Sequence, residues 1–301
     1  MNAVMSARPV VGVLWMLATG LCFVAVTGIV HHLGTGLPAV QAAFIRFLFG
    51  IVFVAPTLIP VLRTGIPVGT WRLALGRGAL HLLAVTLWFH AMARVPVAEV
   101  TAIGYLNPIV VTLGAALFLG EHLATRRILA IAVALLGALI VLRPGFREIT
   151  PGHLAQLGAA TSFGLSYLLA KRLTSLLPAS VVVGLLSLIV TAGLAPFALA
   201  VWVPPTPEQV AWLGVVAIFA TMGHYTMTRA FAAAPMAVTQ PVTFLQLIWA
   251  SILGATIFDE AIDPMVILGG AMIIGAISYI TWRESRIRQR PVTPSSGAGK
   301  F

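Results

Sequence analysis

The stretch Leu37-Pro38-Ala39 returns at Leu177-Pro178-Ala179, so the second half of the chain repeats the first at an offset of 140 residues. Later pairs follow an offset of 139, as a one-residue change in a loop would give. The aligned pairs are Gly12 with Gly152, Leu14 with Leu154, Leu17 with Leu157, Phe23 with Phe163, Ala55-Pro56 with Ala195-Pro196, Ala91 with Ala230, Ala93 with Ala232, Pro96 with Pro235, Ala98 with Ala237 and Glu121 with Glu260. Each copy carries five apolar stretches. Because five spans begin and end on opposite sides of a membrane, the tandem copy must be inverted.

The composition indicates a chain dissolved in lipid. Of its 301 residues 59% are hydrophobic and 9% are charged, whereas a soluble domain carries about 25% charged residues. The mean hydropathy of +1.02 indicates more apolar surface than the core of one water-soluble domain can bury. The net charge of +10 does not predict a nucleic-acid partner, because most basic residues stand singly or in pairs between apolar stretches.

Ten apolar runs of about 20 residues predict an all-α polytopic membrane protein with two inverted five-helix repeats. The predicted spans are 10–31, 39–62, 70–93, 96–120, 126–143, 152–174, 178–203, 208–232, 236–258 and 264–282. We divide the chain into a first repeat (1–147, helices 1–5), a second repeat (148–290, helices 6–10) and a disordered cytoplasmic tail (291–301). Helices five and ten are rich in glycine and would pack on each other or on lipid, and the sequence leaves a homodimer open.

The distribution of lysine and arginine predicts the orientation. Twelve of these residues flank the spans on the side of both termini and three flank the other side. This bias predicts that both termini lie in the cytoplasm. We therefore expect a multi-pass protein of the cytoplasmic (inner) membrane. The basic run Arg283, Arg286, Arg288 and Arg290 follows the last span and suits anionic lipid headgroups.

Little in the sequence indicates catalysis or a cofactor. Cys22 is the only cysteine, which excludes an intrachain disulfide and a cysteine-based metal site. His31-His32 is a poor metal site without further ligands. The chain has no HExxH, no GxSxG and no paired acids in mid-span, so we predict no enzyme, no metal and no cofactor.

A set of short motifs suggests a family. The first copy carries Ala91-Met92-Ala93-Arg94-Val95-Pro96-Val97-Ala98-Glu99, Leu106-Asn107-Pro108, Leu119-Gly120-Glu121 and an apolar helix around Gly137; the second keeps Ala230 to Ala237, Leu245-Gln246-Leu247 and Asp259-Glu260. In these motifs and in Arg46 the chain resembles the EamA-type module of the drug/metabolite transporter superfamily, although Gln246 lacks the following proline. The resemblance implies an alternating-access carrier, with helices 1–4 and 6–9 around a central cavity and helices 5 and 10 peripheral.

Helices four and nine supply amides to this predicted cavity. Asn107 aligns with Gln246, and each lies near the middle of its span, where an amide needs polar partners. Both amides either join neighbouring helices or contact substrate. On helix nine Gln240, Thr243 and Gln246 recur at a spacing of three and form one polar face.

Other polar and aromatic residues complete the predicted cavity. Arg46 lies within helix two, where it would bind an anion such as a carboxylate or make a structural bond to carbonyls or to Glu99. The remaining candidates, each with a structural alternative, are His81, Trp88, Tyr105, Ser162, Ser166, His224 and Tyr225.

Residues at the ends and interruptions of helices four and nine form a second group. Pro108 and Pro241 remove backbone donors, so the freed carbonyls would line the cavity. Glu121 and Glu260 follow the two helices, and we predict that they bond to backbone donors or basic residues at the gates. No acid lies at mid-membrane, which argues against an exchanger built around a central carboxylate.

These features predict a secondary active transporter of small amphipathic metabolites, with amino acids as the first choice and export as one direction. The alternatives are a channel, a lipid scramblase, or a carrier of anionic or flavin-like metabolites. The superfamily handles many small molecules, so the resemblance leaves the substrate open.

Overall fold

The computed structural model describes residues 9–107, 109–110, 125–143, 148–174, 176–233, 242 and 245–288. Within them all regular structure is helical. The helices are α1 (Pro9–Leu33), α2 (Ala39–Thr64), α3 (Val68–Met92), α4 (Val97–Gly104), α5 (Thr125–Leu142), α6 (Pro151–Thr174), α7 (Ala179–Ala200), α8 (Pro207–Ala233), α9 (Leu245–Ile257) and α10 (Pro264–Arg288). Each overlaps one predicted span, which confirms the predicted all-helical membrane fold. The predicted tail, 291–301, lies outside the described residues.

Proline sets the start of most helices. It is the first residue of α1, α6, α8 and α10, and it immediately precedes α2, α3, α4 and α7. These positions need no backbone N–H donor, and the fixed φ of proline suits the first turn. Five of the described helices (α1, α2, α3, α7 and α8) contain stretches that are long and apolar enough to cross a membrane.

The helix pairs show that the two repeats are inverted. The most extensive packing joins α1 to α8, α3 to α6, α2 to α7 and α5 to α10. If each helix is replaced by its equivalent in the other repeat, the α1–α8 pair becomes the α6–α3 pair. The α2–α7 and α5–α10 pairs each join two equivalent helices and so remain unchanged. At the start of α2, Gln41 exchanges hydrogen bonds of 2.7 and 2.9 Å with the backbone of Val203, just beyond α7. Near the end of α2, Leu58 packs on Gly184 at the start of α7. These equivalent helices are therefore antiparallel.

Helices α5 and α10 pack on each other through glycine, one of the two arrangements predicted. A Cβ atom built on Gly137 would lie 2.6 Å from the carbonyl oxygen of Gly269. The reverse contact, from Gly269 to the Gly137 carbonyl, is closer still. Small residues allow such backbone contact between membrane helices. Exposed side chains such as Leu129, Leu136 and Leu268 cover the outer faces of this pair and are suited to lipid.

Helix α4 is interrupted in the middle of its predicted span. The N–H groups of Tyr105 and Leu106 bond only three residues back, to Ala102 and Ile103, at 3.2 and 3.0 Å. Pro108, which lies outside the described residues, has no N–H to donate to the carbonyl of Gly104. The chain is helical again at Asn107. Gly104, Tyr105 and Asn107 line the central cavity, so the irregular turn lies at the centre of the bundle.

Chemical labelling will test the predicted orientation. Arg94, in the α3–α4 connection, and Arg63, at the end of α2, are both exposed at opposite ends of the bundle. In a Cys22→Ser background, we expect a membrane-impermeant maleimide to modify an Arg94→Cys variant in intact cells. An Arg63→Cys variant should react only after the cells are permeabilised. The opposite pattern would place both termini outside the cytoplasm.

Candidate substrate cavity

A central cavity of about 210 Å³ lies between the two repeats. All helices from α1 to α9 except α5 and α7 contribute to its wall. The lining residues are Phe23, Val26, Thr27, Arg46, His81, Val85, Trp88, Phe89, Val100, Thr101, Gly104, Tyr105, Asn107, Gln156, Phe163, Tyr167, Ala220, His224 and Gln246. The wall is therefore aromatic and amide-rich, with one arginine.

Several residues predicted from the sequence meet at this cavity, although their part in substrate binding stays a prediction. They are Arg46, His81, Trp88, Tyr105, Asn107, His224 and Gln246. Gln240, Thr243, Pro108, Pro241 and Glu121 lie outside the described residues. Asn107 and Gln246 come from symmetry-related helices, so both repeats bring an amide to the same wall.

Three predicted residues do not line the cavity. Tyr225 is 55% exposed on the outer face of α8, where its hydroxyl accepts a hydrogen bond of 3.2 Å from Arg229. Successive helical residues point about 100° apart, so with His224 facing inward Tyr225 faces outward. Ser162 and Ser166 are buried in helix packing instead. Ser166 donates to the carbonyl of Arg77 at 3.3 Å and lies 3.4 Å from His81 Nδ1.

Aromatic rings form the broad face of the cavity. Phe163 and Tyr167 stack with ring planes 13° apart and centroids at 6.0 Å. His81 meets Phe163 edge-on at 5.0 Å, and Phe23 meets His224 edge-on at 5.3 Å. Sequence reasoning missed Phe163 and Tyr167, although their spacing of four on α6 places them on one helix face.

Two residues of the cavity wall have a buried amide oxygen with no hydrogen-bond donor in the described part of the chain. Gln156 is 3% exposed, and its Nε2 donates to the carbonyl of Val100 at 2.8 Å. That bond orients the amide and leaves Oε1 without a partner; Asn107 Oδ1 is likewise buried without one. Buried acceptors normally find a donor, so these two oxygens are exceptions that need an explanation. Sequence reasoning also missed Gln156.

Arg46 brings positive charge to the wall of the cavity. Its guanidinium carbon lies 3.9 Å from the centroid of the buried Phe47 ring. The predicted alternative of a pair with Glu99 is not among the ion pairs of the described residues, where Glu99 Oε2 contacts His153 Nε2 at 3.0 Å. A guanidinium with a free edge binds carboxylate or carbonyl oxygens.

Glu260 closes one end of the bundle, which we call the Glu260 end. Asp259 has φ of 52°, and the N–H of Glu260 bonds back to the carbonyl of Gly254 at 3.0 Å. Both carboxylate oxygens accept from the N–H of Val97, at 3.1 Å each, and Oε1 lies 3.3 Å from His31 Nε2. Burial raises the pKa of the Glu260 carboxyl, while the Val97 N–H and His31 partly offset the rise.

Comparison with known proteins agrees with this architecture. The EamA-like transporter family matches residues 10–143 and 150–282. A riboflavin transporter of Rhizobium johnstonii is 33% identical over 298 residues, covering 96% of this chain and 97% of that protein. An S-adenosylmethionine uptake transporter of Rickettsia bellii is 25% identical and covers 94% and 97%. A solved crystal structure shares the fold, with a TM-score of 0.60 and 18% identity over 93% of this chain and 96% of that one. The chain belongs to the EamA-like transporter family.

Proposed function

We propose that the protein is a secondary carrier that moves a small heteroaromatic metabolite, with riboflavin as the first candidate, by alternating access. The observation that carries this proposal is the one central cavity that both inverted repeats line. In such carriers the substrate site lies at the repeat interface, and one repeat rocks against the other around it.

The chemistry of the wall supports a flat ligand with polar edges. Trp88, Phe163 and Tyr167 offer ring faces, and stacking suits a planar ring system. The partnerless oxygens of Gln156 and Asn107 suit the N–H of an imide or the hydroxyls of a polyol chain. Arg46 suits ring carbonyl oxygens. An isoalloxazine with its ribityl chain carries all of these groups, and a 33% identical relative is named a riboflavin transporter.

The volume of the cavity sets a condition on this proposal. Cavities that enclose small ligands measure about 300–1,000 Å³, whereas this one measures about 210 Å³. To bind a tricyclic ligand, the helices around the cavity must therefore lie further apart than they do in this conformation. An amino acid, the first choice from the sequence, needs less room; its carboxylate would bind Arg46 and its ammonium the two amide oxygens.

Counterflow in liposomes will test the proposed carrier. Vesicles containing the purified protein are loaded with unlabelled riboflavin and diluted into labelled riboflavin, with no ion gradient. We expect saturable uptake that is faster in loaded than in empty vesicles. Uptake that does not saturate, and that is equally fast in loaded and empty vesicles, would indicate a channel. If labelled amino acids exchange and riboflavin does not, the amino-acid alternative is correct.

Removal of one aromatic ring should weaken riboflavin binding. Aromatic pairs contribute about 0.5–1.5 kcal/mol beyond buried area, so Trp88→Leu should raise the dissociation constant roughly 2- to 12-fold or more. Quenching of flavin fluorescence by the protein measures this constant. Trp212→Leu is the control, because Trp212 is 36% exposed and contacts His32 rather than the cavity. Equal losses in both variants would contradict stacking on Trp88.

A further inference from the structure

Four titratable side chains from four segments meet at the Glu260 end. They are His31 at the end of α1, Glu99 in α4, His153 in α6 and Glu260 in the α9–α10 connection. His31 pairs with Glu260 at 3.3 Å, and His153 pairs with Glu99 at 3.0 Å. The two pairs adjoin, because the charge of Glu99 contributes to the raised pKa of Glu260.

The hydrogen-bond partners of His31 require a proton between this imidazole and Glu260. His31 Nδ1 lies 2.6 Å from the carbonyl oxygen of Met92. A carbonyl oxygen only accepts, so Nδ1 carries hydrogen. A neutral ring would then present the lone pair of Nε2 to Glu260 Oε1, 3.3 Å away. Two facing lone pairs repel, so a second proton on either atom is what makes the contact attractive.

The other pair needs no such proton. His153 Nδ1 accepts the backbone N–H of Thr150 at 3.1 Å, so it carries a lone pair, and the Thr150 hydroxyl, 2.8 Å away, can donate to the same nitrogen. The ring hydrogen is therefore on Nε2 and is donated to Glu99. This contact is a neutral imidazole with a carboxylate, both less than 9% exposed. Glu99 thus remains a nearby negative charge that favours a proton on the His31–Glu260 pair.

The His31–Glu260 pair lies one helical turn from the cavity. Glu260 caps the N-terminus of α4 at Val97, and Val100 and Thr101, one turn further, line the cavity. His31 ties the end of α1 to the same carboxylate. Separation of α1 and α4 from the α9–α10 connection at this end therefore breaks the pair. In the described chain the other charged residues of the α3–α4 and α9–α10 connections are Arg94, Asp259 and Asp263. Arg94 and Asp259 are exposed, and Asp263 pairs with Arg143.

The two ends of the carrier differ in the basic residue that aligns with His31. At the repeat offsets, Glu260 aligns with Glu121 and His31 aligns with Lys171. An ordinary lysine holds its proton up to about pH 10.4, whereas a hydrated imidazole loses it at about pH 6.5. The aligned position therefore carries an imidazole at the Glu260 end and an ammonium group at the other end.

We propose that a proton shared by His31 Nε2 and Glu260 Oε1 locks the Glu260 end closed, and that its release allows this end to open. The proposal deepens the carrier function by naming the regulator of one gate. Opening separates the two side chains and hydrates them, so the open end holds that proton more weakly than the closed end does. Where the closed state binds one proton more than the open state, each unit of rise in pH shifts the equilibrium up to tenfold toward opening.

Distances between spin labels will test this lock without any substrate. Thr35 in the α1–α2 connection and Ile262 in the α9–α10 connection are exposed on either side of the pair. Both are changed to cysteine and labelled in a Cys22→Ser background, in the otherwise intact protein. Pulsed electron paramagnetic resonance between pH 5.5 and 8.5 should show a long-distance population that grows with pH.

Two variants and one control make the outcome specific. His31→Asn keeps a donor for the Met92 carbonyl, and Glu260→Gln keeps an acceptor for the Val97 N–H. In neither variant can residues 31 and 260 share a titrating proton. Both should show the same distances at every pH. The matched control His32→Asn, at an exposed neighbour, should respond like the parent protein. A parent protein without pH response, or a His31→Asn variant with the full response, would overturn the lock. Counterflow of riboflavin is measured separately, so failure of the carrier proposal is distinguishable.

Discussion

The Gly269→Ala variant should unfold at a markedly lower temperature than the parent protein. The added Cβ would overlap the carbonyl oxygen of Gly137 and lie 2.7 Å from Val141 Cγ2 and 3.2 Å from the Val141 nitrogen. Two of these three atoms belong to the backbone, so α5 and α10 must move apart. Overpacking of this kind costs about 3 kcal/mol, which corresponds to a fall of roughly 5 °C for a protein of this size.

A glycine on the same helix provides the control. A Cβ on Gly275 would have nothing within 4 Å, and alanine is the better helix former by about 1 kcal/mol. Gly275→Ala should therefore melt at or slightly above the parent temperature in detergent, followed by tryptophan fluorescence. If the two variants melt alike, the close crossing of α5 and α10 is wrong.

The Arg46→Met variant should lose most of its affinity for substrate while remaining folded. Hydrogen bonds to a charged group contribute about 1.5–3 kcal/mol, so the half-saturation concentration for counterflow should rise roughly 10- to 150-fold. Stability should not fall in parallel, because Arg46 is only half-buried and forms no ion pair among the described residues, and methionine keeps much of its apolar stem. Arg46→Lys should recover part of the loss, since it keeps the charge but not the planar fork.

A second arginine separates this effect from a general loss of charge. Arg229 is exposed, donates to the Tyr225 hydroxyl at 3.2 Å and lies 5.5 Å from the Trp15 ring centroid. Arg229→Met should change the half-saturation concentration less than twofold. An Arg46→Met carrier with normal substrate affinity would show that Arg46 has the structural role left open by the sequence.

Part of the site follows from the sequence because membrane burial restricts polar residues. Arg46, Asn107, His224 and Gln246 stand alone in apolar spans, and a lone polar group in hydrocarbon must face other protein groups or a cavity. That argument needs no knowledge of neighbouring helices. It fails for Tyr225, whose amphipathic ring is equally suited to the lipid-facing surface, where the structure places it.

The contacts at the Glu260 end could not be read in this way. His31 and Glu260 are separated by most of the chain, and Glu99 meets His153 across the repeat boundary. Gln156 and Phe163 likewise acquire their positions from the packing of α6 against α3 and α4. These juxtapositions depend on the rotation of each helix about its axis, which side-chain packing between helices sets.

The sequence by itself determined the number of helices seen in the described residues, most of their starts and the inverted repeat. Each of these can be recognised in the sequence without knowledge of helix packing, from the length of an apolar run, a proline at a first turn or the offset between the two copies. Only the tertiary structure decided which side chains share the cavity and which titratable groups pair at its end. Such contacts join residues from different helices, and their free energy exists only once those helices are packed.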